Sequence, residues 1–364
     1  MSDILISGYH GFANSGDEAL LWAILNSLRK EKSDISVTVL SKTPEETARA
    51  YGVKSVYRFD YFKVCKDMKS AKMLLFGGGS LLQDVTSSKS IKYYLAIIAL
   101  AQHFGLKTML YANGIGPVTK KVNRFLAAKI LNKVDIITLR DDNSDVELKK
   151  MGVTKPDIRI TADPVFTVDM DESLSGRYFT RRAGVPDGTK LAVVSIRHWK
   201  HSSENFVCDL ADLCDYLVER NGIYPLFVPM QYPDDTEISQ QVMGKMKHPA
   251  YLINRELSVP EMFSVLSEAD MVIGMRLHSL INATILEKPA MALVYDPKIS
   301  AFMKSLSQPD CVDVVHFDSQ KAKQMLDEIV DDCDRRAKLL HDTNADMRKK
   351  AEENAKCAIK LLED

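Results

Sequence analysis

The sequence predicts an α/β protein built from two Rossmann-like domains that face a cleft. Two series of short apolar runs alternate with stretches of helical period, which is the pattern of parallel sheets covered by helices. Residues 163–190, rich in turn residues and charge, separate the two series. Each series opens with a strand that runs directly into a polar loop, and open α/β sheets bind ligands at such strand ends.

Six apolar runs, rich in β-branched residues, predict the strands of the first domain. They lie at Ile4–Ser7, Ile35–Leu40, Met73–Phe76, Thr108–Ala112, Ile136–Leu139 and Ile158–Thr161. Between them, apolar residues at helical spacing predict helices, which include Asp17–Arg29, Ile91–Phe104 and Val122–Asn132. Strands joined by helices pair in parallel, so residues 1–165 are predicted to form an N-terminal Rossmann-like domain.

The alternation restarts after residues 166–189, which we interpret as a linker because Gly184, Pro186 and Gly188 interrupt it. Six further runs predict strands at Leu191–Ile196, Tyr224–Val228, Ala250–Ile253, Asp270–Ile273, Ala290–Val294 and Val312–Val315. Residues 190–340 are therefore predicted to form a C-terminal Rossmann-like domain. One long charged helix is predicted from about residue 320 to the end, and residues 341–364 are its part beyond that domain.

Composition narrows the class of function. The 364 residues suffice for two domains, and 46% hydrophobic with 27% charged residues is typical of a globular protein. With 48 Lys and Arg against 49 Asp and Glu, the net charge of −1 lacks the basic excess of nucleic-acid-binding proteins. The six cysteines include no C-x-x-C pair, which argues against a structural zinc site and for a reducing compartment.

Hydropathy along the chain predicts a cytoplasmic protein. The first residues have neither the basic start nor the apolar core of a secretory signal. The longest apolar run, Tyr93–Ala101, is too short to span a bilayer.

The loop after the first strand, from Gly8 to Glu18, combines glycines with acidic residues. Ser15 and Glu18 have the spacing of a capping box, so one interpretation is a well-capped helix with Asp17 in its first turn. The other makes Asp17 a general base aimed into the cleft. The loop lacks the G-x-G-x-x-G spacing of dinucleotide sites, and its carboxylate would repel a phosphate, so it suits a neutral hydroxyl acceptor.

Glycines also follow two further strands. Gly77-Gly78-Gly79 comes after one, and Asn113-Gly114-Ile115-Gly116-Pro117 ends the next. Glycine exposes backbone N–H groups and lets a ligand approach closely, although a flexible βα turn is an equally good interpretation. The triple glycine lacks the Lys-Ser/Thr ending of a P-loop. Loops at the same ends of neighbouring strands would build one site.

Two arginines stand at the ends of predicted strands. Arg140 can reach the cleft, and a surface ion pair with Asp141 is the alternative. Arg197 opens the segment Arg197-His198-Trp199-Lys200-His201 and would face the cleft. The two histidines could be surface residues, and no carboxylate or cysteine at a recognisable spacing completes a metal site.

The most informative segment is Gly274-Met275-Arg276-Leu277-His278-Ser279, between an apolar strand and a helical stretch. It places a fixed cation and a titratable ring at a helix start, whose N–H groups favour anions. Lys298 follows the next buried strand. Because consecutive strand ends lie side by side, Arg276, His278 and Lys298 are expected to converge on a small dianion. The alternative is a capped helix with a satisfied histidine.

Together these motifs resemble the polysaccharide pyruvyltransferases, and the bacterial cell-wall enzymes among them in particular. Single pieces are common, whereas the ordered set is specific and spans nearly the whole chain. The set comprises Ile6–Tyr9 with Asn14–Ala19, Phe76–Gly79, Asn113–Pro117, Asp163–Phe166 and Gly274–His278.

The resemblance implies a GT-B-like fold in which the C-terminal helix crosses back to the first domain. It implies phosphoenolpyruvate as the donor and a sugar as the acceptor. In the cell-wall enzymes the acceptor is a β-ManNAc residue of a lipid-linked secondary cell-wall polymer precursor. The product is a 4,6-linked pyruvate ketal, a ligand of S-layer homology domains, and phosphate is released. The scheme requires neither a cofactor nor a metal.

The resemblance also implies roles for residues. Donor-binding positions fall on Arg140, Arg197, Arg276, Leu277, His278 and Lys298. His278 is the candidate acid, either for the enol carbon or for the departing phosphate, because imidazole ordinarily titrates near neutral pH. Asp17 is the candidate base for the sugar hydroxyl. The first domain is the predicted acceptor domain, with candidate acceptor-binding residues Tyr9, Asn14, Gly78, Gly79 and Asn113; the second is the predicted donor domain.

A lipid-linked acceptor requires contact with the inner face of the membrane. Lys120, Lys121 and Arg124, and the basic residues of the C-terminal helix, are candidate contacts. A solvated helix face is the alternative, since acids are interspersed. Two other functions stay open: a GT-B glycosyltransferase that uses a nucleotide sugar, and a non-catalytic sugar-binding module.

Overall fold

The computed structural model describes residues 2–85, 88–169 and 173–364, with Ser88 described by its backbone alone. The chain forms two compact units. Unit 1 comprises Met1–Val168 with Asp346–Asp364, and unit 2 comprises Asp169–Ala345. Within the described residues, no helix is both long and apolar enough to cross a bilayer.

Unit 1 contains a seven-stranded parallel sheet with the strand order β3-β2-β1-β4-β5-β6-β7. Most of its strands are apolar runs buried on both faces, as expected for a sheet covered by helices. The strands are β1 Ile4–His10, β2 Val37–Ser41, β3 Lys54–Tyr57, β4 Met73–Gly77, β5 Lys107–Asn113, β6 Ile136–Leu139 and β7 Asp157–Ile160.

Helices cover both faces of this sheet. They are α1 Ser15–Glu31, α2 Pro44–Tyr51, α3 Tyr61–Ser70, α4 Ser88–His103, α5 Lys121–Leu131 and α6 Asp142–Met151, and a 3₁₀ turn follows at Pro164–Thr167. Buried residues of α3, α4, α5 and α6 share one apolar cluster with the sheet. The opposite face packs against α1 and residues 355–361 of the C-terminal helix.

β3 has no counterpart among the predicted strands. It is an edge strand, and of its four residues Val56 alone is buried. An edge strand needs no continuous apolar run, so this part of the sequence lacks the pattern by which the other strands are predicted.

Unit 2 contains a six-stranded parallel sheet with the order β10-β9-β8-β11-β12-β13. The strands are β8 Lys190–Ser195, β9 Ile223–Phe227, β10 Tyr251–Leu252, β11 Met271–Gly274, β12 Ala290–Val294 and β13 Cys311–Asp313. The helices are α7 Gly176–Arg182, α8 Phe206–Asn221, α9 Asp234–Met243, α10 Val259–Ser267, α11 Leu277–Ile285, α12 Pro297–Ser305, α13 Ser319–Asp331 and α14 Cys333–Glu363. In both sheets the strand order reverses beside the first strand, which is the switch point where such folds bind ligands.

The segment interpreted as a linker, 166–189, contains helix α7, and its residues 170–172 lie outside the described part. Gly176 starts α7 close to the backbone of Ser264 in α10, so a larger residue would clash there. The segment is therefore partly folded onto unit 2.

The prediction of one long C-terminal helix is wrong, because two helices fill this region. Asp332 ends α13, and its carboxylate then accepts a hydrogen bond from Arg335 Nε at 2.7 Å in the first turn of α14. An acidic side chain is favoured at a helix start and disfavoured at a helix end, so the chain breaks there. The second helix, α14, starts in unit 2 and ends in unit 1. This agrees with the resemblance, which implies that the C-terminal helix crosses back to the first domain.

Candidate active site

In unit 2, the carboxyl ends of three adjacent strands carry the predicted cationic residues. Gly274 at the end of β11 pairs in register with Ser195 of β8 on one side and Ala292 of β12 on the other. Arg197 follows β8 by two residues, Arg276 follows β11 by two, and Lys298 lies in the first turn of α12. The parallel arrangement therefore brings the predicted donor residues of this unit to one sheet edge.

Arg276 is not a free cation. Its Nε and Nη2 donate to the two carboxylate oxygens of Asp235 at 2.7 and 2.6 Å, and Nη2 also donates to Gln231 Oε1 at 3.1 Å. Arg276 is 9% and Asp235 2% exposed, so the pair is buried. The sequence does not indicate Asp235 as a site residue, because it lies 41 residues from Arg276 along the chain. Its position at the start of α9, beyond β9, is the signal that could have indicated it.

Arg197 differs from Arg276 in its surroundings. Its guanidinium lies 5.6 Å from the ring centroid of Tyr295, which follows β12. Tyr295 in turn packs at 4.8 Å from Trp199. Within the described part of the chain, no carboxylate forms an ion pair with Arg197, and its buried Nε has no hydrogen-bond partner. Arg197 thus brings an uncompensated positive charge to this edge.

The other predicted residues of this edge lie in the first turns of two helices. Leu277 and His278 start α11 and are half-buried. Lys298 is partly exposed, and its ammonium lies 3.3 Å from Asp296, the N-cap residue of α12. First-turn N–H groups of α11 and α12 add partial positive charge here.

In unit 1, the loop after β1 is held by side chains rather than by the predicted capping box. The N-cap residue of α1 is Asn14, whose Oδ1 accepts from Gly16 N at 3.1 Å, and Ser15 already belongs to the helix. Glu18 reaches back to Gly11 N at 2.9 Å and also accepts a hydrogen bond from Tyr51. Asn14, predicted to bind acceptor, therefore has a capping role in the structure.

Asp17 lies between two glycine loops. It sits in the first turn of α1, half-buried, and a Cβ added to Gly79 would lie 3.4 Å from its Oδ1. Gly78 and Gly79 have φ angles of 61° and 74°, which a larger residue rarely adopts. The loops after β1 and β4 thus hold Asp17 at the switch point of unit 1.

Arg58 is a residue of this site that the sequence analysis misses. It is 4% exposed and donates from Nη1 to Gly8 O at 2.9 Å. Four aromatic ring centroids lie 4.6–5.4 Å from its guanidinium carbon, those of Phe12, Phe59, Tyr93 and Tyr94. No carboxylate of the described chain pairs with it. The high density of aromatic residues around Arg58 is the signal that sequence could have offered.

His10 lies beside this arginine at the end of β1. Its ring fills the space where a side chain on Gly8 would point, so position 8 requires glycine. Burial, assisted by the charge of Arg58, lowers the pKa of His10 to about 3. The imidazole is therefore neutral at physiological pH. Burial also raises the pKa of Tyr94 to about 12, against the opposing effect of Arg58.

Arg140 belongs to unit 1 and forms a buried network. Its Nη1 donates to Asp163 at 2.6 Å and its Nη2 to Ser80 Oγ at 2.8 Å. The alternative of a surface pair with Asp141 is wrong, because Asp141 caps α6 by accepting from Ser144 N at 2.8 Å. Arg140 thus joins the end of β6 to the loop after β4.

Tyr9 and Asn113 complete the predicted acceptor residues. Tyr9 is half-buried, and its ring stacks on Phe12 at 4.0 Å with an angle of 5° between the planes. Asn113 has no exposed surface and donates to Tyr111 O at 3.1 Å. The structure therefore leaves Tyr9, but not Asn113, open to a ligand. Among the residues described, no three His, Cys, Asp or Glu side chains are grouped as a metal site.

Sequence comparison relates the chain to a known protein family and to a biosynthesis protein. The family described as polysaccharide pyruvyl transferase matches residues 14–297. The amylovoran biosynthesis protein AmsJ of Erwinia amylovora is 22% identical, over 84% of this chain and 86% of that protein.

Solved structures with a similar fold bind nucleotides or nucleotide sugars. MnaA of S. aureus, in complex with UDP, is 14% identical with a TM-score of 0.68, covering 100% of this chain and 98% of its own. HepE of Anabaena, with UDP-glucose, is 10% identical with a TM-score of 0.65, covering 98% and 99%. The UDP-GlcNAc 2-epimerase of Neisseria meningitidis is 12% identical with a TM-score of 0.62, covering 99% of each. The predicted GT-B-like pair of Rossmann-like domains is confirmed.

Proposed function

Because the chain belongs to the polysaccharide pyruvyl transferase family, we propose that it transfers the enolpyruvyl group of phosphoenolpyruvate to a sugar and releases phosphate. The chain is a pyruvyltransferase of polysaccharide biosynthesis, and the donor is the part that we infer. Arg197 is the observation that supports phosphoenolpyruvate most directly. It adds an uncompensated cation to a strand edge where two helices also begin.

The donor edge has the charge to hold a carboxylate and a phosphate. Arg197 and Lys298 provide side-chain cations, and the starts of α11 and α12 provide backbone donors. Asp235 holds Nε and Nη2 of Arg276, and we assign its Nη1 to the donor. A cation fixed in this way is oriented before the donor binds, which favours electrostatic stabilisation of the transition state.

The reaction balances with one acid and one base. A proton is added to the CH2 carbon of phosphoenolpyruvate, which becomes the methyl group, and a sugar hydroxyl oxygen bonds to the adjacent carbon as it loses its proton. The second hydroxyl oxygen then bonds to the same carbon as phosphate leaves, its proton passes to the departing phosphate, and the ketal ring closes. His278 is our candidate for protonating the enol carbon or the departing phosphate, and Asp17 for accepting the hydroxyl proton.

We assign the acceptor to unit 1. Tyr9 and Phe12 form a half-buried pair of stacked rings in the β1 loop, and a sugar can lie against an aromatic face. Asp17, Gly78 and Gly79 stand at the neighbouring switch point. We propose a lipid-linked saccharide with a terminal β-ManNAc as the acceptor, and a 4,6-pyruvate ketal on a cell-wall polymer as the product.

Mass spectrometry tests this function. The full-length protein is incubated with phosphoenolpyruvate and a synthetic ManNAc–GlcNAc acceptor, and phosphate is measured in parallel. We expect a product heavier by one ketal-linked pyruvate and one phosphate released for each product formed. Transfer from a UDP-sugar in place of phosphoenolpyruvate would instead establish a glycosyltransferase, and phosphate release without ketal would exclude the sugar as acceptor.

A further inference from the structure

One face of unit 1 presents three neighbouring helices, α3, α4 and α5. All three pack on the same side of the sheet in one apolar cluster. Lys69 at the end of α3 lies 5.4 Å from the ring centroid of Phe104, just beyond α4. Gln102 of α4 donates to Ile130 O of α5 at 3.1 Å. Their outward sides therefore form one continuous surface, which we call the α3–α5 surface.

The outward side of α3 combines exposed aromatic rings with lysines. Phe62 is 91% and Tyr61 59% exposed, although both belong to a regular helix. Other exposed positions of the helix are Lys63, Lys66 and Lys69, of which Lys63 pairs with the N-cap residue Asp60 at 3.2 Å. The one acid of α3, Asp67, is buried and accepts from Lys54 at 2.6 Å. Large exposed aromatic side chains beside lysines are typical of a surface that binds a membrane or another protein.

Helices α4 and α5 contain no acidic residue at all. On α4, Lys92 and Ala96 are exposed. On α5, Val122 and Phe125 are 64% and 67% exposed. Exposed lysines flank them on the same helix, at Lys121 and Lys129. In a chain with 48 basic and 49 acidic residues, three adjacent helices without an exposed acid are a strong local charge bias.

A groove beside α5 is also lined by an aromatic ring and lysines. Its volume is about 340 Å³. It is lined by Phe125, Ala128, Lys129, Asn132, Lys133 and Lys155. An apolar ring with lysines around it matches the boundary between acyl chains and anionic headgroups.

We propose that the α3–α5 surface docks on an anionic lipid bilayer. Its aromatic side chains would enter the headgroup boundary, as in interfacial helices, while its lysines meet lipid phosphates. The reason for membrane binding, access to a lipid-linked acceptor, rests on the proposed function. The affinity for anionic lipid rests on the residues of the α3–α5 surface alone.

The candidate membrane contacts suggested by the sequence are less suitable. Arg124 is paired with Glu147 at 3.1 Å. In α14, Lys350 pairs with Asp346 at 2.7 Å, and Lys356 with Glu353 at 3.0 Å. Ion pairs of this kind reduce the attraction of a helix for an anionic surface, so α14 serves as a matched control.

Co-sedimentation with lipid vesicles tests the inference on the full-length protein. One set of vesicles is phosphatidylcholine alone, and the other is equal parts phosphatidylcholine and phosphatidylglycerol. We expect binding to the second set only. The double variant Phe62→Ser/Phe125→Ser should weaken it at least about tenfold. Lys66→Glu/Lys69→Glu, at two lysines of α3 that form no ion pair among the described residues, should weaken it by about 25-fold or more, since each lysine contributes roughly fivefold.

The control variant Lys349→Glu/Lys350→Glu makes the same charge change on α14 and should keep binding within about twofold. Vesicle binding that fails in the wild-type protein, or that the α14 variant loses as strongly as the α3 variant, overturns the inference. So does tighter binding to single-stranded RNA than to the vesicles.

Turnover on the water-soluble acceptor separates the two proposals. If the α3 and α5 variants that no longer sediment with vesicles keep that turnover, their protein is folded and active. The loss of sedimentation is then caused by the changed surface. If the wild-type protein binds vesicles but does not use phosphoenolpyruvate, the proposed function fails and the docking surface stands.

Discussion

The two units share one topology and differ in the charge that they place at the switch point. In unit 2, the edge beyond β8, β11 and β12 carries Arg197, Arg276 and Lys298. In unit 1, the corresponding edge beyond β1 and β4 carries the carboxylate of Asp17 between glycine loops. Two cations of unit 1 are buried: Arg58 lies against aromatic rings, and Arg140 pairs with Asp163.

Under the proposed function, this difference would let one fold serve two kinds of ligand. The parallel sheet fixes where a ligand binds, and the few residues after each strand decide its charge. A cationic edge suits a dianion such as phosphoenolpyruvate, whereas a carboxylate edge repels it and suits a neutral sugar hydroxyl. A substitution at one edge should therefore leave ligand binding at the other edge unaffected.

The largest effect is expected for Arg276→Ala. It removes a cation from the donor edge and leaves Asp235 buried without its partner, so donor-dependent turnover should fall by more than about 1,000-fold. Steady-state kinetics with phosphoenolpyruvate measure this loss. Near-wild-type turnover would contradict a role for Arg276 at the donor edge.

The double variant Arg276→Ala/Asp235→Ala is the matched control. It removes both charges of the buried pair, so thermal stability should largely recover. If Arg276 also contacts the donor, turnover stays low in the double variant. A full recovery of turnover would show that Arg276 only neutralises Asp235.

At the strand edge of unit 1, Asp17→Asn should lower kcat by about 100- to 10,000-fold and leave donor affinity unchanged, because an amide cannot accept the hydroxyl proton. Comparing kcat with the KM for phosphoenolpyruvate measures the separation. Glu18→Gln is the control, since Glu18 holds the loop through Gly11 and Tyr51 and should affect stability more than kcat. A loss mainly of donor affinity in Asp17→Asn would remove the proposed division between the edges.

Arg197→Ala should weaken phosphoenolpyruvate binding about 10- to 100-fold, the value of one charge-assisted contact. Arg197 forms no ion pair within the described residues, so its loss should leave stability nearly unchanged. Binding is measured by isothermal titration calorimetry. His198→Ala, on the exposed neighbour, should bind the donor like the wild type, and an equal loss in both variants would argue against a specific contact.

The smallest effect concerns pH and unit 1 alone. The folded pKa of His10, about 3, lies below the ordinary value of 6.5, so the unfolded chain binds a proton that the folded chain does not. The stability that this contributes is present above pH 6.5 and is lost as pH falls from 6.5 towards 3. Between pH 7 and pH 5, the loss should be about 2 kcal/mol.

Urea unfolding at the two pH values measures this loss. In His10→Leu, the difference between pH 7 and pH 5 should be smaller than in the wild type by the same amount, about 2 kcal/mol. An unchanged pH dependence would show that His10 is not the buried neutral group that we describe.

The architecture follows from periodicity because most strands are buried on both faces, where apolar residues are required. Ala290–Val294 is predicted in both bounds, and the run predicted at Ile4–Ser7 is the first part of strand Ile4–His10. Apolar runs do not predict edge strand β3 or the helix break at Asp332. Strand β3 is mostly exposed, and the break depends on electrostatics at a helix end.

The places of the candidate residues relative to the strands are predictable from the sequence, and their contacts are less so. Arg276 is correctly placed after its strand, yet the sequence does not reveal that Asp235 holds it, because the two meet only once the sheet is formed. Asn14 takes the cap expected of Ser15, since a single residue's shift at a helix start is decided by local hydrogen bonds. Arg58 is hidden because burial of a cation among rings is a tertiary property.

Thermal unfolding with ligand tests the central claim, that the unit 2 edge binds the enolpyruvyl dianion. A ligand that binds the folded state at 100 times its Kd adds about 2.7 kcal/mol of stability. We predict that phosphoenolpyruvate raises the Tm of the wild-type protein and of Asp17→Asn equally, and that Arg197→Ala shows little or no increase. A rise in Tm with a UDP-sugar but not with phosphoenolpyruvate would contradict the account.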